Sequence, residues 1–139
     1  MRSKKVTRYW CDHCNKGGLQ PHAMAKHERH CTLNPARTCR VCTIINGGGH
    51  VDAERMPGLI ALLPAGPGPD GYGDEVTAYI AQIEAAMPKL REATENCPAC
   101  ILAALRQAKI HVGMVSSFDF SGEMKTVFAN IEPRQGYDY

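Results

Sequence analysis

Residues 9–42 read YWCDHCNKGGLQPHAMAKHERHCTLNPARTCRVC and hold five of the chain's seven cysteines and four of its six histidines. Spacing divides them. Cys11 and Cys14 form a CxxC, twelve residues lie between Cys14 and His27, and His27 with Cys31 forms an HxxxC. That set of four soft donors has the spacing of a compact zinc finger. Cys39 and Cys42 make a second CxxC whose partners come only after 54 residues, at Cys97 and Cys100. Seven cysteines and one histidine therefore sort into two sets of four with no thiol left over, which predicts two Zn2+ per chain. Thiolates at i and i+3 can converge on one ion from a tight knuckle or from the first turn of a helix, so the pattern has a physical basis.

In the first set, Cys11 and Cys14 are expected on a knuckle. His27 and Cys31, four apart, should share one face of a helix running from about Pro21. Tyr9, Trp10, Leu19 and Met24 are the candidates for a small apolar core around the ion. His30 is a competing ligand, but it sits beside Cys31 and should face elsewhere; His13 and His22 are read as solvent-facing because the tetrahedron is already full. In the second set, the CxxC at 39–42 reads as a knuckle and Cys97 and Cys100 as the first turn of a helix, whose dipole favours the thiolate form. Such an ion would staple a long loop, and its binding energy would become folding energy. The rival reading, a redox CxxC at CPAC, has no βαβ pattern before it and ignores the second CxxC.

The net charge of +2 hides an asymmetry. Residues 1–45 carry nine Lys or Arg against Asp12 and Glu28, whereas residues 46–139 carry seven against twelve acidic residues. The basic end is the finger end, which suits a phosphate backbone or an acidic partner, although a small finger with little core also exposes solvated charge. The residues expected to touch nucleic acid are Arg2, Lys4, Lys5, Arg8, Lys16, Gln20, Lys26, Arg29, Arg37 and Arg40. No apolar run is long enough to span a bilayer and no apolar segment follows the basic N-terminus, so neither membrane anchoring nor secretion is expected. A reducing cytoplasm, where thiols remain free for metal, is the expected location.

Along the chain, residues 1–8 read as a flexible basic arm, 9–35 as the finger, and 36–139 as a helical domain stapled by the four-cysteine site, with a Gly/Pro-rich loop at 47–73 broken by an apolar turn at Leu59 to Leu63. Seven residues connect Cys31 to Cys39, so the two metal sites should be neighbours. Val76, Tyr79, Ile80, Ile83, Met87 and Leu90 recur at helical spacing behind Asp74 as N-cap, with Pro88 expected to kink or restart the helix. A second helix is expected from Cys97 as cap and Pro98 as first residue, with Ile101, Leu102, Leu105 and Ala108 on one face. A third follows Ser121, carrying Met124, Val127, Phe128 and Ile131 as core positions. The predicted fold is thus a small α-rich zinc-binding protein, an N-terminal ββα-like C2HC finger joined to a treble-clef-like four-cysteine zinc module with two or three helices.

WCDHCNKGGLQPHAMAKHERHC resembles the CxHCxKxGG…AMxxHxxxC finger of many bacteriophage-encoded proteins, some of them associated with homing-type nucleases, and more loosely the C2HC fingers of eukaryotic proteins. The resemblance covers residues 9–31. It implies Cys11, Cys14, His27 and Cys31 as ligands, Gly17 and Gly18 as shapers of the turn, and a bacterial host cytoplasm as the setting. Against the DNA-reading C2H2 finger, Gly18 stands where a core phenylalanine belongs and Met24 takes the usual leucine position. Only Gln20 and Lys26 of the base-facing positions could make polar contacts. One finger reads about 3 base pairs, so phosphate contact is expected rather than sequence-specific readout.

Three functions remain open from sequence. The first is a non-catalytic accessory factor that grips nucleic acid, DNA or RNA, through the basic finger end. The second is a protein-interaction or assembly factor acting on a host or phage protein, with purely structural zinc. The third is an HNH-like nuclease using His50 and Asp52 of GGGHVDAER, a segment without clear further catalytic positions on a following helix. Catalytic zinc keeps one position open, and both predicted sites are filled by protein, which argues against hydrolysis or a small-molecule substrate at either ion.

Overall fold

The structure, a computed structural model, describes residues 1–46, 52–66 and 73–129. It begins with an exposed arm that has no helix or strand, residues 1–8. A minimal hairpin follows, β1 (Tyr9–Trp10) antiparallel to β2 (Gly17–Gly18), with Tyr9 opposite Gly18 and Trp10 opposite Gly17. Helix α1 (Pro21–His30) closes this unit. Proline at its first position costs nothing, since that N–H would lack a helical partner anyway. Met24 is the one buried residue of α1.

Among the described residues five further helices follow: α2 (Arg40–Asn46), α3 (Asp52–Ala61), α4 (Asp74–Thr94), α5 (Pro98–Gln107) and α6 (Phe120–Ala129), with a 3-10 turn at Val112–Met114 before α6. Helix α5 is the hub. From Pro98 to Leu105 it is buried on nearly every side, and it packs against α3, α4, α6 and the 3-10 turn. A helix apolar all round has to lie inside, and Ala99, Ala103 and Ala104 let neighbouring backbones come close. The main core joins Met56, Leu59 and Leu63 to Tyr79, Ile83, Met87 and Leu90 of α4, to Ile101 and Leu105 of α5, and to Ile110, Val115 and Phe118 beyond it.

Helix α4 shows the expected stripe: Tyr79, Ile83, Met87, Leu90 and Thr94 are buried at three- and four-residue steps. Pro88 neither ends nor restarts it, because the helix runs unbroken from Asp74 to Thr94. Pro88 lies on the exposed face, so the lost backbone bond falls where water can replace it. The expected cap is also displaced: Gly73 is the N-cap and Asp74 the first helical residue, an acidic group in the first turn all the same.

The stretch expected to be loop contains a helix instead. Asp52–Ala61 is helical despite Pro57 and Gly58 inside it. Met56, Leu59 and Leu63 are buried against the core, and side chains of this kind contribute about 1.5–3 kcal/mol each. Together they outweigh the roughly 3 kcal/mol cost of an interior proline. Residues 47–51 and 67–72, the rest of that predicted loop, lie outside the described residues, as does Ile131 of the third predicted helix. Within α6, Met124 and Val127 pack inward as expected, but Phe128 is 53% exposed and belongs to no core.

The finger is moored to the helical body. The connection after Cys31 is tied into turns by Asn34, whose amide donates to the Glu28 carbonyl and whose side-chain oxygen accepts from the Ala36 N–H. Thr38 N–H donates to the Arg29 carbonyl at 2.9 Å, and His30 Nδ1 lies 2.8 Å from the Thr38 carbonyl oxygen. From the far end of α5, Gln107 donates to the carbonyls of Thr32 and Asn34, and Arg106 to the Thr32 hydroxyl at 2.6 Å.

Candidate metal centres

The first cluster brings together Cys11, Cys14, His27 and Cys31, their ligand atoms all within 4.8 Å of one another. The hairpin supplies a knuckle. Cys11 N–H donates to the Lys16 carbonyl, while the N–H of His13 points at Cys11 Sγ and that of Lys16 at Cys14 Sγ. Such N–H···S contacts orient thiolates toward a shared ion. The end of α1 supplies the other pair: His27 lies in its last turn and Cys31 is the C-cap just beyond it, and His27 Nε2 lies 3.3 Å from Cys14 Sγ. Around a tetrahedral Zn2+ with bonds of about 2.0–2.3 Å, neighbouring S and N ligands lie roughly 3.5 Å apart, so the donor set fits that ion.

Protonation in this cluster follows its surroundings. Burial, reinforced by the charge of Lys16, lowers His27 and keeps its imidazole neutral, the form that binds metal. Burial pushes the Cys31 thiol up to about 11. Burial also acts to raise Cys14, but the Lys16 N–H and the neighbouring Cys11 and Cys31 thiols prevail and bring it down. One thiolate among several thiols needs a nearby cation before the rest can ionise, and a dication supplies it.

His13 and His22 are exposed and outside the cluster, and His30 is turned to Thr38. The expected apolar core, in contrast, is smaller than its candidates. Met24 is buried and Leu33 packs partly against it, but Tyr9, Trp10 and Leu19 are 37%, 58% and 59% exposed. A two-residue strand has no second layer to cover those side chains.

The second cluster holds Cys39, Cys42, Cys97 and Cys100, again within 4.8 Å of one another and all but fully buried. Cys39 Sγ lies 3.5 Å from Cys97 Sγ, and Cys42 Sγ 3.4 Å from Cys100 Sγ. Sulfurs around tetrahedral zinc are about 3.8 Å apart, so this set fits too. Both CxxC pairs open helices. Cys97 caps α5, and Cys39 immediately precedes α2, its Sγ accepting the Cys42 N–H and its carbonyl the Thr43 N–H and hydroxyl. The segment 39–42 is therefore the first turn of a helix rather than the hairpin knuckle a treble clef would have. Two helix N-termini then face the same thiols, and each favours negative charge.

Hydrogen bonds from Cys100, Cys42 and Cys97 hold the Cys39 thiol well below the usual range. Its hydrogen bonds with Cys39, Cys42 and Cys97, with burial added to them, push Cys100 well above that range. Four thiols so close cannot all ionise on their own. The sharp turn that delivers Cys97 is made by Glu95 and Asn96, consecutive left-handed residues at φ 54° and 58°. Asn96 N–H closes the end of α4 onto the Arg91 carbonyl. Because the four cysteines meet as one cluster, CPAC does not stand as an isolated redox pair.

Of the candidate nucleic-acid residues, Arg2, Lys4, Lys5, Arg8, Lys16, Gln20, Lys26, Arg29 and Arg40 are exposed. Arg37 is not: it is 2% exposed, with Nε donating to the His30 carbonyl, and is withdrawn from any phosphate contact. Its place inside the connecting turn makes it a structural cation. His50 of the nuclease reading lies outside the described residues, and Asp52 begins α3. Among the described residues no helix is long and apolar enough to cross a membrane. Spacing locates the eight residues of the two clusters but not the mooring residues Thr32, Asn34, Arg106 and Gln107, whose polar side chains carry no periodic signal. Compared with protein families, with curated proteins and with solved structures, the chain matches none.

Proposed function

We propose that this chain is a non-catalytic protein built on two structural Zn2+, and that its basic finger end binds nucleic acid without sequence specificity. One observation carries the structural reading: each cluster brings four protein donors within 4.8 Å of one another, enough to fill a tetrahedral ion and leave no position for water or substrate. Bound Zn2+ would supply charge and fixed bonds there. The thiolate and imidazole donors favour zinc over hard ions such as Mg2+ and Ca2+, and a four-donor tetrahedral set suits it. The nucleic-acid reading is supported by the exposed cations of the arm, hairpin and α1, and its lack of sequence specificity by the base-facing positions, of which only Gln20 and Lys26 could make polar contacts. On the resemblance of residues 9–31, the setting we assign is that of a bacteriophage accessory factor acting in the host cytoplasm.

Native mass spectrometry with and without chelator should find two zinc ions per chain. Retention on random DNA or RNA should fall steeply with salt, and neutralising Lys4, Lys5, Arg8 and Lys26 to Gln should lower the log–log salt slope by about 3. An unchanged slope in that variant would remove the nucleic-acid reading. The protein-interaction alternative draws on Ile44 and Ile45 of α2, exposed side by side at 43% and 42%. It predicts no retention at physiological salt and a defined protein partner lost on Ile44→Asp.

A further inference from the structure

Trp10 is the chain's single tryptophan, and it stands 58% exposed on the most basic part of the molecule. A residue of that size is ordinarily mostly buried, so its position invites a reason. The ring is held in place by two neighbours. It lies across Gly17, where an added Cβ would come within 2.8 Å of Cζ3 and 2.9 Å of Cε3. Only glycine admits that approach. The Arg8 guanidinium is stacked over the ring, 5.2 Å from its centroid, and its Nε borders the same Gly17 position. Even with these two neighbours the residue keeps 58% of its surface exposed.

A second cation and a second exposed apolar side chain lie nearby, Lys16 and Leu19. Lys16 precedes Gly17, and a shallow groove of about 220 Å³ runs from Lys16 past Leu19 and Gln20 to Ala23 of α1. Leu19 is as exposed as Trp10. A surface that offers a fixed aromatic face beside several cations complements a polymer with free apolar ring faces and regularly spaced negative charge. A single strand has both. A duplex has the charge, but its base faces are covered by stacking.

We infer that Trp10, braced by Arg8 and Gly17, is a stacking platform for one unpaired base of single-stranded nucleic acid, whose backbone runs along Lys16 and the groove. This rests on the nucleic-acid reading above and narrows it to unpaired strands. DNA and RNA share the recognised chemistry, and neither 2′-hydroxyls nor base edges enter the contact. Arg8 contributes twice, as a brace for the ring and as a cation.

The lone tryptophan is its own reporter. The zinc-loaded full chain is titrated with oligo-dT, oligo-U, a matching duplex, an abasic strand and poly-glutamate. Tryptophan fluorescence is followed together with the anisotropy of the labelled polymer. The expected result is strong quenching by both single strands and little by duplex, abasic strand or poly-glutamate. Trp10→Ala should weaken single-strand binding on the order of ten-fold, the loss of one base stack, while Trp10→Phe restores most of it and both keep the metal count. Quenching in the parent chain needs no variant, so a misfolded Trp10→Ala leaves the test intact.

Single strands that bind without a fluorescence change, or equal quenching by duplex, abasic strand or poly-glutamate, would overturn the platform and leave the charge-based reading standing. No binding of any nucleic acid at low salt would sink both.

Discussion

The two clusters use nearly the same donors, yet they sit in opposite surroundings. Around the finger set the buried residues number three, and two of those are the ligands Cys11 and Cys31 themselves. There a bound ion would itself be the core. The four-cysteine set is seated beside a hydrophobic core that extends from Met56 to Phe118 and packs without any ligand in it, with Val41 and Ala99 buried next to the thiols and Met124 and Val127 of α6 partly covering them. There a bound ion would join α2 to a body that already has its own apolar interior. Similar chemistry thus does two jobs, and the surrounding apolar area decides which.

The largest expected effect tests that contrast directly. Cys100→Ala removes a ligand that is 0% exposed on the hub helix and leaves three buried thiols without their ion. It should lose one metal and destabilise the cooperative thermal transition by about 3 kcal/mol or more. His27→Ala should also lose one metal, while the helical body melts near the parent temperature because its core is untouched. Calorimetry on both, with zinc counted by mass spectrometry, would break the comparison if the two variants lost equal stability.

A smaller effect concerns how firmly the regions are joined. Gln107→Ala deletes donors to two carbonyls of the connecting turn, worth about 1 kcal/mol. Amide exchange around Thr32 and Asn34 should accelerate while exchange in α4 stays as it was. Uniform acceleration would mean that finger and body open as one unit.

The smallest lies wholly within the body and serves as its control. Ser117, with Ser116, hydrogen-bonds the Glu84 carboxylate and holds it below the usual value. A folded pKa under the unfolded one adds stability above about pH 4.3, the unfolded glutamate value, and that contribution disappears as pH falls through the lower folded value. Glu84→Gln should therefore cost a fraction of a kcal/mol at neutral pH and nothing in acid. Finger metal content should not respond to it at any pH where the metal is bound.

Ligand spacing is legible in the sequence because coordination is a local code: two donors three or four apart on a short chain segment have few ways to meet an ion. The helices α4 and α5 are legible for a similar reason, with long periodic stripes and Pro98 at the start of the second. Helix α2 is not, since Val41, Thr43, Ile44 and Ile45 are β-branched and give a strand-like signal; its first turn is imposed by Cys39 and Cys42 meeting their distant partners. Helix α3 is hidden by Pro57 and Gly58, whose local cost is overridden by burial of Met56 and Leu59. The exposure of Trp10 and the burial of Arg37 both run against residue type. Each is decided by neighbours that sequence does not place: a hairpin too short to cover the indole, and a turn that closes around the guanidinium.

Helix α5 spans about 15 Å, with thiols at its first turn and the finger's anchor at its last. It works as a beam clamped at one end and carrying a load at the other. Releasing the buried thiols would free α2 and the turn before Cys39 that ties into the finger, although none of the finger's own cluster residues had changed. Emptying the finger would leave the beam aimed as before, because the beam is held by the body and not by what hangs from it.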